Sequence, residues 1–270
     1  MRQRKKNLYE NRGLPDNYTD DSFLADMGKN IKPNTATFNQ AITLAASILI
    51  QLSIVILFVI VFIWINNKWT TPNVIFSISI SLTVIGYIKY VNKTLIIFKR
   101  ISKDLRTVLI FLAFGYILSP VLKTSTETIS TDTIYTMTIF MFFIHLIFSQ
   151  YSPTNVSLSE SLSITSSIFG SLMLTSRLST PLHAFSLLTV AVQCFVLLPF
   201  LLSKLNSKIY FSIILELSTL YFLKNISINF SLVFVAISVF VHFVCPVLYI
   251  KWQRYKENIY GPWDEAIVDP

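Results

Sequence analysis

The chain has 270 residues, of which 53% are hydrophobic and only 13% are charged, and its formal net charge is +8. Soluble domains carry roughly 25% charged residues, so about half of the usual polar surface is missing. The long apolar runs exclude a soluble globular fold, because a single core could not bury them all. Lys and Arg cluster beside these runs, which is typical of charges flanking membrane helices and argues against nucleic-acid binding.

The amino-terminal segment, residues 1–43, has no apolar stretch of the kind found in cleavable signal peptides, so the first membrane helix is expected to direct insertion. Asp20-Asp21-Ser22 is a plausible helix start, and Leu24, Met27 and Ile31 follow at helical spacing. This pattern predicts a short amphipathic helix that lies on the membrane surface or against a partner.

Eight apolar runs predict membrane-spanning helices, since a bilayer crossing needs about 20 mainly apolar residues. The clearest is Leu44–Ile65, which contains no charged residue. The others are Pro72–Ile88, Arg106–Leu122, Ile134–Ser149, Asn155–Ser176, Leu182–Leu202, Tyr210–Leu223 and Ile226–Ile250. The sequence therefore predicts an all-α polytopic bundle of about eight transmembrane helices at 44–250, followed by a tail at 251–270.

The distribution of positive charge predicts the orientation of this bundle. With the amino terminus in the cytosol and eight crossings, 18 of the 22 Lys and Arg residues lie in cytosolic segments. The other four are Lys68, Lys123, Arg177 and Lys224. Because cytosolic loops carry the excess of Lys and Arg, both termini are predicted to be cytosolic.

The residues that usually carry chemistry form no recognisable catalytic pattern. His145, His183 and His242 lie in or beside three different apolar runs, without the spacing of metal ligands, and are interpreted as packed, hydrogen-bonded helix residues. Cys194 and Cys245 lie inside apolar runs, where a cysteine is usually a small packing residue. The sequence also lacks a Gly-rich phosphate loop and a GxSxG elbow, so no cofactor or metal is expected.

A polar stretch between the third and fourth runs, residues 123–133, is the main candidate contact site. It combines Lys123, Glu127 and Asp132 with seven hydroxyl side chains, and Tyr135 follows. Ionisable groups at membrane depth often face a wet cavity, so this stretch could hold a lipid head group or a partner loop. The alternative is a solvated connector whose Ser and Thr residues cap helix ends.

Two further segments supply candidate contact residues. Arg177 precedes a Leu-Ser-Thr-Pro turn and His183, and its guanidinium could reach the membrane interface or a substrate. The carboxyl-terminal tail contains Trp263, Asp264 and Glu265 after a Gly-Pro turn. An aromatic residue in such a tail docks either on its own bundle or on a neighbouring protein.

Four segments together resemble the PIG-C family, whose members belong to phosphatidylinositol N-acetylglucosaminyltransferase. They are Leu8–Asn30, Ser119–Tyr135, Ser176–Phe185 and Lys256–Ala266, in the family's order. The resemblance implies a multispan subunit, in the endoplasmic reticulum, of a complex that transfers N-acetylglucosamine from UDP-N-acetylglucosamine to phosphatidylinositol. This reaction begins the synthesis of glycosylphosphatidylinositol (GPI) anchors.

The same resemblance implies which partners carry the chemistry. In the family, sugar transfer is attributed to another subunit, PIG-A, and the other partners are small membrane subunits such as PIG-H, PIG-P and PIG-Q. No catalytic residue is therefore carried over to this chain, and its expected role is to scaffold the transferase and to present phosphatidylinositol. Two alternatives remain open, namely a membrane-embedded transferase in its own right and a lipid carrier or scramblase.

Overall fold

A computed structural model describes most of the apolar part of the chain. The described residues are 28–29, 36–91, 110, 113–117, 120–121, 124, 126, 128–149, 151, 157–203, 208–253, 255 and 259–260. They fall into two compact units, one formed by Phe38–Val247 and one that brings together the two terminal segments. Leu24, Met27 and Ile31 of the predicted amphipathic helix lie outside the described residues, but Gly28–Lys29 between them form a strand, so a continuous helix over this segment is not what the structure has.

The terminal unit contains a short antiparallel pair of strands. Strand β1, Gly28–Lys29, pairs with β2, Ile259–Tyr260, so that Gly28 lies opposite Tyr260. The two strands are separated by the whole set of apolar runs in the sequence. Backbone hydrogen bonds between them therefore join the segment before the bundle to the segment after it.

The bundle unit is helical throughout the described apolar runs. Its described helices are α1 Phe38–Asn66, α2 Pro72–Val91, α3 Thr131–Phe148, α4 Ser157–Thr175, α5 Pro181–Val192, α6 Leu198–Ser203, α7 Lys208–Ile226, α8 Ile228–Val239 and the start of α9, Cys245–Gln253. Residues 113–117 of the third predicted run are helical too. The prediction of an all-α fold is confirmed for this unit, and α1 begins at Phe38, earlier than the predicted Leu44.

Within the part of the chain that the structure describes, four helical stretches are long and apolar enough to cross a membrane. They are Phe38–Asn66, Thr131–Phe148, Ile209–Ile226 and Ile228–Gln253, and Pro72–Tyr87 and Pro181–Leu197 are shorter apolar helices. The chain is therefore a membrane protein by the length and composition of its helices. The full set of eight crossings stays a prediction.

Two helical stretches contain a π-helical turn, which is wider than an α-helical turn. A proline that follows each turn explains it. Gln193–Leu197 joins α5 to α6 and Phe240–Val244 joins α8 to α9, both as π-helix. Each π-helical turn ends two residues before a proline, Pro199 in one case and Pro246 in the other. Proline lacks the N–H of an α-helical bond and its ring clashes with the preceding turn, which favours this local widening.

Helix α1 forms the centre of the bundle. It contacts α3, α5 and α7 among the described elements. Phe58 is fully buried on it, with ring centroids 5.9 Å from Phe142 and 5.3 Å from Phe195, both in edge-to-face geometry. Such aromatic packing favours close contact between helices where lipid removes the usual hydrophobic driving force.

Helix α4 differs from its neighbours because its buried face is hydroxylic. Ser167 and Ser171 are fully buried, and both hydroxyls donate to carbonyl oxygens of α4 itself. Gly170 continues this face and leaves room for Phe142 and Met141 of α3. Small side chains let the α3 and α4 backbones approach closely, which is a common way of packing membrane helices.

Contacts between helix ends show in which direction α3 and α4 run. The rings of Phe62 and Tyr135 are 6.3 Å apart, so α3 starts near the end of α1. Nδ1 of His145 lies 3.0 Å from the carbonyl oxygen of Ser163, so α4 starts where α3 finishes. We call the end of the bundle where α1 finishes the Asn66 end, and the opposite end the Phe38 end.

Helix α7 runs parallel to α1. Ser212, near its start, donates to the Ala46 carbonyl over 3.3 Å, while the rings of Phe222 and Trp64 are 5.0 Å apart near its end. Helix α8 then turns back after Ser227. Relative to α1, helix α7 is therefore parallel and α3 is antiparallel, and α4 is antiparallel to α3.

Candidate functional site

Ser130, in the polar stretch at 123–133, caps the start of α3. The Ser130 hydroxyl accepts a hydrogen bond from the Thr133 backbone N–H at 3.3 Å and pairs with the Thr133 hydroxyl at 2.6 Å. Asp132 is exposed in the first turn, where a carboxylate interacts favourably with the helix dipole. The predicted capping role is therefore present, and Lys123 and Glu127 lie outside the described residues.

Arg177 ties this connector to the turn between α4 and α5. Its Nη2 donates to the carbonyl oxygens of Thr126 at 2.6 Å and Ile129 at 2.9 Å. Its Nε is buried and has no hydrogen-bond partner within the described structure. The guanidinium thus orders a loop of its own chain, a contact that the sequence does not predict.

His183 and Tyr135 complete the set of predicted contact residues at the Asn66 end. The Thr180 hydroxyl caps α5 by accepting from the His183 backbone N–H at 3.3 Å, and it also pairs with Nδ1 of His183. Tyr135 is exposed beside Phe62. The structure therefore gathers Asp132, Tyr135, Arg177 and His183 at one end of the bundle. Trp263, Asp264 and Glu265 are outside the described residues.

A polar cluster inside the bundle has no signal in the sequence pattern and is not among the predicted contact residues. Oε1 of Glu216 on α7 accepts from the Ser212 hydroxyl at 2.6 Å and lies 3.1 Å from Nε2 of His242. Ser212 also donates to the Ala46 carbonyl of α1. The cluster links three helical segments within the apolar part of the bundle, where ionisable side chains are costly unless they are paired.

The three histidines are hydrogen-bonded, as predicted. His145 is almost fully buried, its Nδ1 lies 2.9 Å from the Ser163 hydroxyl, and its ring meets Phe195 edge-on at 5.2 Å. Its Nε2 has no partner among the described atoms. The described residues contain no group of three or more His, Cys, Asp or Glu side chains that could hold a metal ion.

A groove lies at the Phe38 end, on the first turns of α4. It has a volume of about 310 Å³ and is lined by Glu160, Ser161, Ile164 and Thr165. The hydroxyl of Tyr151, which follows α3, donates to the Leu146 carbonyl. Burial raises the pKa of Tyr151 to about 12, so this phenol stays neutral at physiological pH.

Comparison with known proteins identifies the family of this chain. The sequence model of the GPI2 family, described as phosphatidylinositol N-acetylglucosaminyltransferase, matches residues 5–264. The chain belongs to this family. The match includes both the helices of the bundle and parts of the terminal segments, because it extends beyond the apolar runs on either side.

Three relatives show how complete the similarity is. The C-type subunit of phosphatidylinositol N-acetylglucosaminyltransferase from Bos taurus is 36% identical, over 98% of this chain and 92% of the relative, and the Homo sapiens protein of the same name is 35% identical over the same shares. The GPI2 subunit of this transferase in Schizosaccharomyces pombe is 27% identical, over 97% of this chain and 86% of its own length. No solved structure matches the chain. The resemblance found in four sequence segments is confirmed.

Proposed function

We propose that this chain is the PIG-C-type membrane subunit of a phosphatidylinositol N-acetylglucosaminyltransferase complex. The observation that carries the proposal is the match to relatives bearing that name over 98% of this chain and 92% of theirs. The complex transfers N-acetylglucosamine from UDP-N-acetylglucosamine to phosphatidylinositol, as the first step of GPI-anchor synthesis. The chain works in the endoplasmic reticulum membrane, where the lipid substrate is available.

In this proposal the chain itself is not the catalyst. Its partners are a PIG-A-like subunit that transfers the sugar and small membrane subunits of the PIG-H, PIG-P and PIG-Q type. The environment of the described polar side chains supports this division of labour. Arg177, Ser212 and His242 are engaged in contacts between segments of the bundle, which is a structural use of polar groups.

The physical reason for a membrane subunit is the cost of removing a lipid from the bilayer. Each buried CH₂ group contributes about 0.8 kcal/mol, so a water-soluble fold that withdrew a two-chain lipid would lose many times that amount. A membrane subunit avoids this cost by leaving the acyl chains in place and offering only the inositol to the transferase. Its apolar exposed helix faces support the role, since Phe140, Phe143 and Ile147 of α3 can contact acyl chains.

The proposed topology has eight crossings and both termini in the cytosol. The pairing of β1 with β2 supports an even number of crossings, because strands that flank the whole bundle can share hydrogen bonds only on one side of the membrane. The excess of Lys and Arg in the predicted cytosolic segments supports the choice of that side. The Asn66 end then faces the lumen.

The exposed polar groups at the Asn66 end are proposed as partner contacts. Asp132 and Tyr135 remain exposed after α3 is capped, and Arg177 fixes the loop beside them. A membrane subunit with a short lumenal loop could pack against this surface. Trp263 and its neighbours Asp264 and Glu265 are proposed to make the corresponding contact at the cytosolic end.

Deleting the gene for this chain tests the proposed role. Microsomes without the chain are expected to lose transfer of N-acetylglucosamine to phosphatidylinositol, and re-expression should restore it. The PIG-A-like subunit should stay folded in the deleted cells, which limited proteolysis can check. Full activity without the chain would contradict the proposal.

Two comparisons separate the alternatives. If the chain were itself a transferase, Asp132→Asn or His145→Gln would remove turnover while the purified complex kept all of its subunits. If it were a lipid carrier or scramblase, the purified chain would move labelled phosphatidylinositol across vesicles without UDP-N-acetylglucosamine. A scaffold subunit gives neither result.

A further inference from the structure

We propose that the groove on the first turns of α4 binds the inositol ring of phosphatidylinositol. The groove is lined by Glu160, Ser161, Ile164 and Thr165, and its volume of about 310 Å³ lies at the lower end of the range for small-molecule sites. The identity of the ligand rests on the function proposed above. The existence of a polyol site rests on the four side chains themselves.

The carboxylate of Glu160 has no hydrogen-bond or ion-pair partner among the described residues. It is exposed in the first turn of α4, where a carboxylate also interacts favourably with the helix dipole. By contrast, the carboxylate of Glu216 on α7 accepts from the Ser212 hydroxyl and lies 3.1 Å from Nε2 of His242. An unpaired carboxylate at the edge of an apolar bundle gains most from a ligand that donates hydrogen bonds to it.

The other groups that line the groove can form hydrogen bonds with a polyol. The Thr165 hydroxyl donates to the Ser161 carbonyl at 2.8 Å, so its oxygen is left free to accept from a ligand. The Ser161 hydroxyl makes no hydrogen bond within the described residues and can donate or accept. A carboxylate with two hydroxyls matches the hydroxyl groups of a polyol ring, and Ile164 offers an apolar surface to its C–H face.

The position of the groove along α4 suits a lipid head group. Glu160 lies near the start of α4, at the Phe38 end, which is the end proposed to face the cytosol. Phe169 lies one helical turn deeper than Thr165 on the same side of α4, and it is exposed. A lipid head group in the groove could therefore leave an acyl chain alongside Phe169, within the bilayer.

The test uses the whole complex in phosphatidylcholine vesicles that contain a range of phosphatidylinositol fractions. Glu160→Gln keeps the shape of the side chain and removes its charge. It is expected to raise the apparent KM for phosphatidylinositol about tenfold, the effect of weakening one charged hydrogen bond. The kcat at saturating lipid and the KM for UDP-N-acetylglucosamine should not change. Glu160→Asp should restore part of the loss.

The matched control is Ser81→Ala on α2. Ser81 is exposed like Ser161, but its hydroxyl donates to the Ser77 carbonyl of its own helix and lies in no described groove. Its loss should leave both KM values unchanged, whereas Ser161→Ala should raise the KM for phosphatidylinositol by roughly threefold, as expected for a neutral hydrogen bond. Equal effects of the two serine variants would overturn the assignment.

Direct labelling separates this proposal from the function on which it rests. A photoactivatable phosphatidylinositol should label α4 in the purified complex, and Glu160→Gln should reduce that labelling. Labelling that persists unchanged in the variant, or that is equal with phosphatidylcholine, would contradict a phosphatidylinositol head-group site, whereas competition by free inositol would support recognition of the ring. If transferase activity persisted in cells that lack the chain, while labelling of α4 stayed intact, only the proposed membership of the complex would be refuted.

Discussion

Replacing Glu216 with leucine is expected to destabilise the folded protein by on the order of 1–3 kcal/mol. The change leaves His242 and Ser212 without the oxygen that both of them contact. The expected range lies between the average for hydrogen bonds in membrane proteins and the cost of breaking a fully buried ion pair. Because the side chains of Glu216 and His242 are both partly exposed, the expected loss of stability is smaller than the cost of breaking a fully buried ion pair.

A double-mutant cycle measures the contribution of this pair. His242→Phe alone should also destabilise, because Glu216 would then keep only the bond from Ser212. The combination of Glu216→Leu with His242→Phe should cost less than the sum of the two single changes, since neither member of the pair is left without its partner. The readout is the thermal midpoint of the purified protein in detergent.

The control for this cycle lies on the same helix. Ser218 is partly buried, but its hydroxyl donates only to the Leu215 carbonyl of α7. Ser218→Ala should therefore change the thermal midpoint little. Additive single changes, or a Ser218→Ala variant that is as unstable as Glu216→Leu, would show that Glu216 and His242 do not act as a pair.

Replacing Gly170 with valine is expected to prevent correct packing of α3 against α4. A Cβ atom at Gly170 would lie 3.2 Å from Cε1 of Phe142 and 3.3 Å from Cβ of Met141, and the Met141 atom is fixed close to its backbone. Phe142 is also held by Phe58 and Phe195, so it cannot move aside freely. Overpacking of this kind typically lowers the free energy of unfolding by about 1–3 kcal/mol. Because valine is branched at Cβ, we expect a loss at or above the upper value.

Gly86 provides the matched control for this substitution. A Cβ atom there meets only the flexible end of Leu201, at 3.8 Å, which is an ordinary contact. Gly86→Val should therefore leave the yield of assembled protein in mild detergent near that of the natural sequence, while Gly170→Val should lower it severely. Size-exclusion chromatography of tagged protein measures both. Equal yields would show that the α3–α4 contact is less close than the structure indicates.

The sequence predicts the existence of the helices well because long apolar runs leave few alternatives. Lipid-exposed backbone must satisfy its own hydrogen bonds, so runs such as Leu44–Ile65 can only be helical. The start of α1 is harder to predict, because the residues from Phe38 onward mix polar and apolar side chains. The Ser-rich helix α4 falls within the predicted run Asn155–Ser176, although it is not among the four described stretches that are long and apolar enough to cross a membrane.

The polar contacts inside the bundle cannot be predicted from the sequence. Glu216 and His242 are 26 residues apart, and their meeting depends on how two helices are rotated about their axes. The π-helical turn that contains His242 changes that rotation, and only the proline two residues after the turn signals it in the sequence. Arg177 is recognisable as an interfacial cation, but its partners are backbone carbonyls, which carry no sequence signal.

The proposed membership of a transferase complex can be tested on the protein itself. The tagged chain would be purified by affinity in mild detergent and assayed with UDP-N-acetylglucosamine and phosphatidylinositol. Transferase activity and a PIG-A-like subunit are expected to purify with the chain. Recovery of the chain by itself, with all of the activity left in the unbound fraction, would contradict the proposed membership.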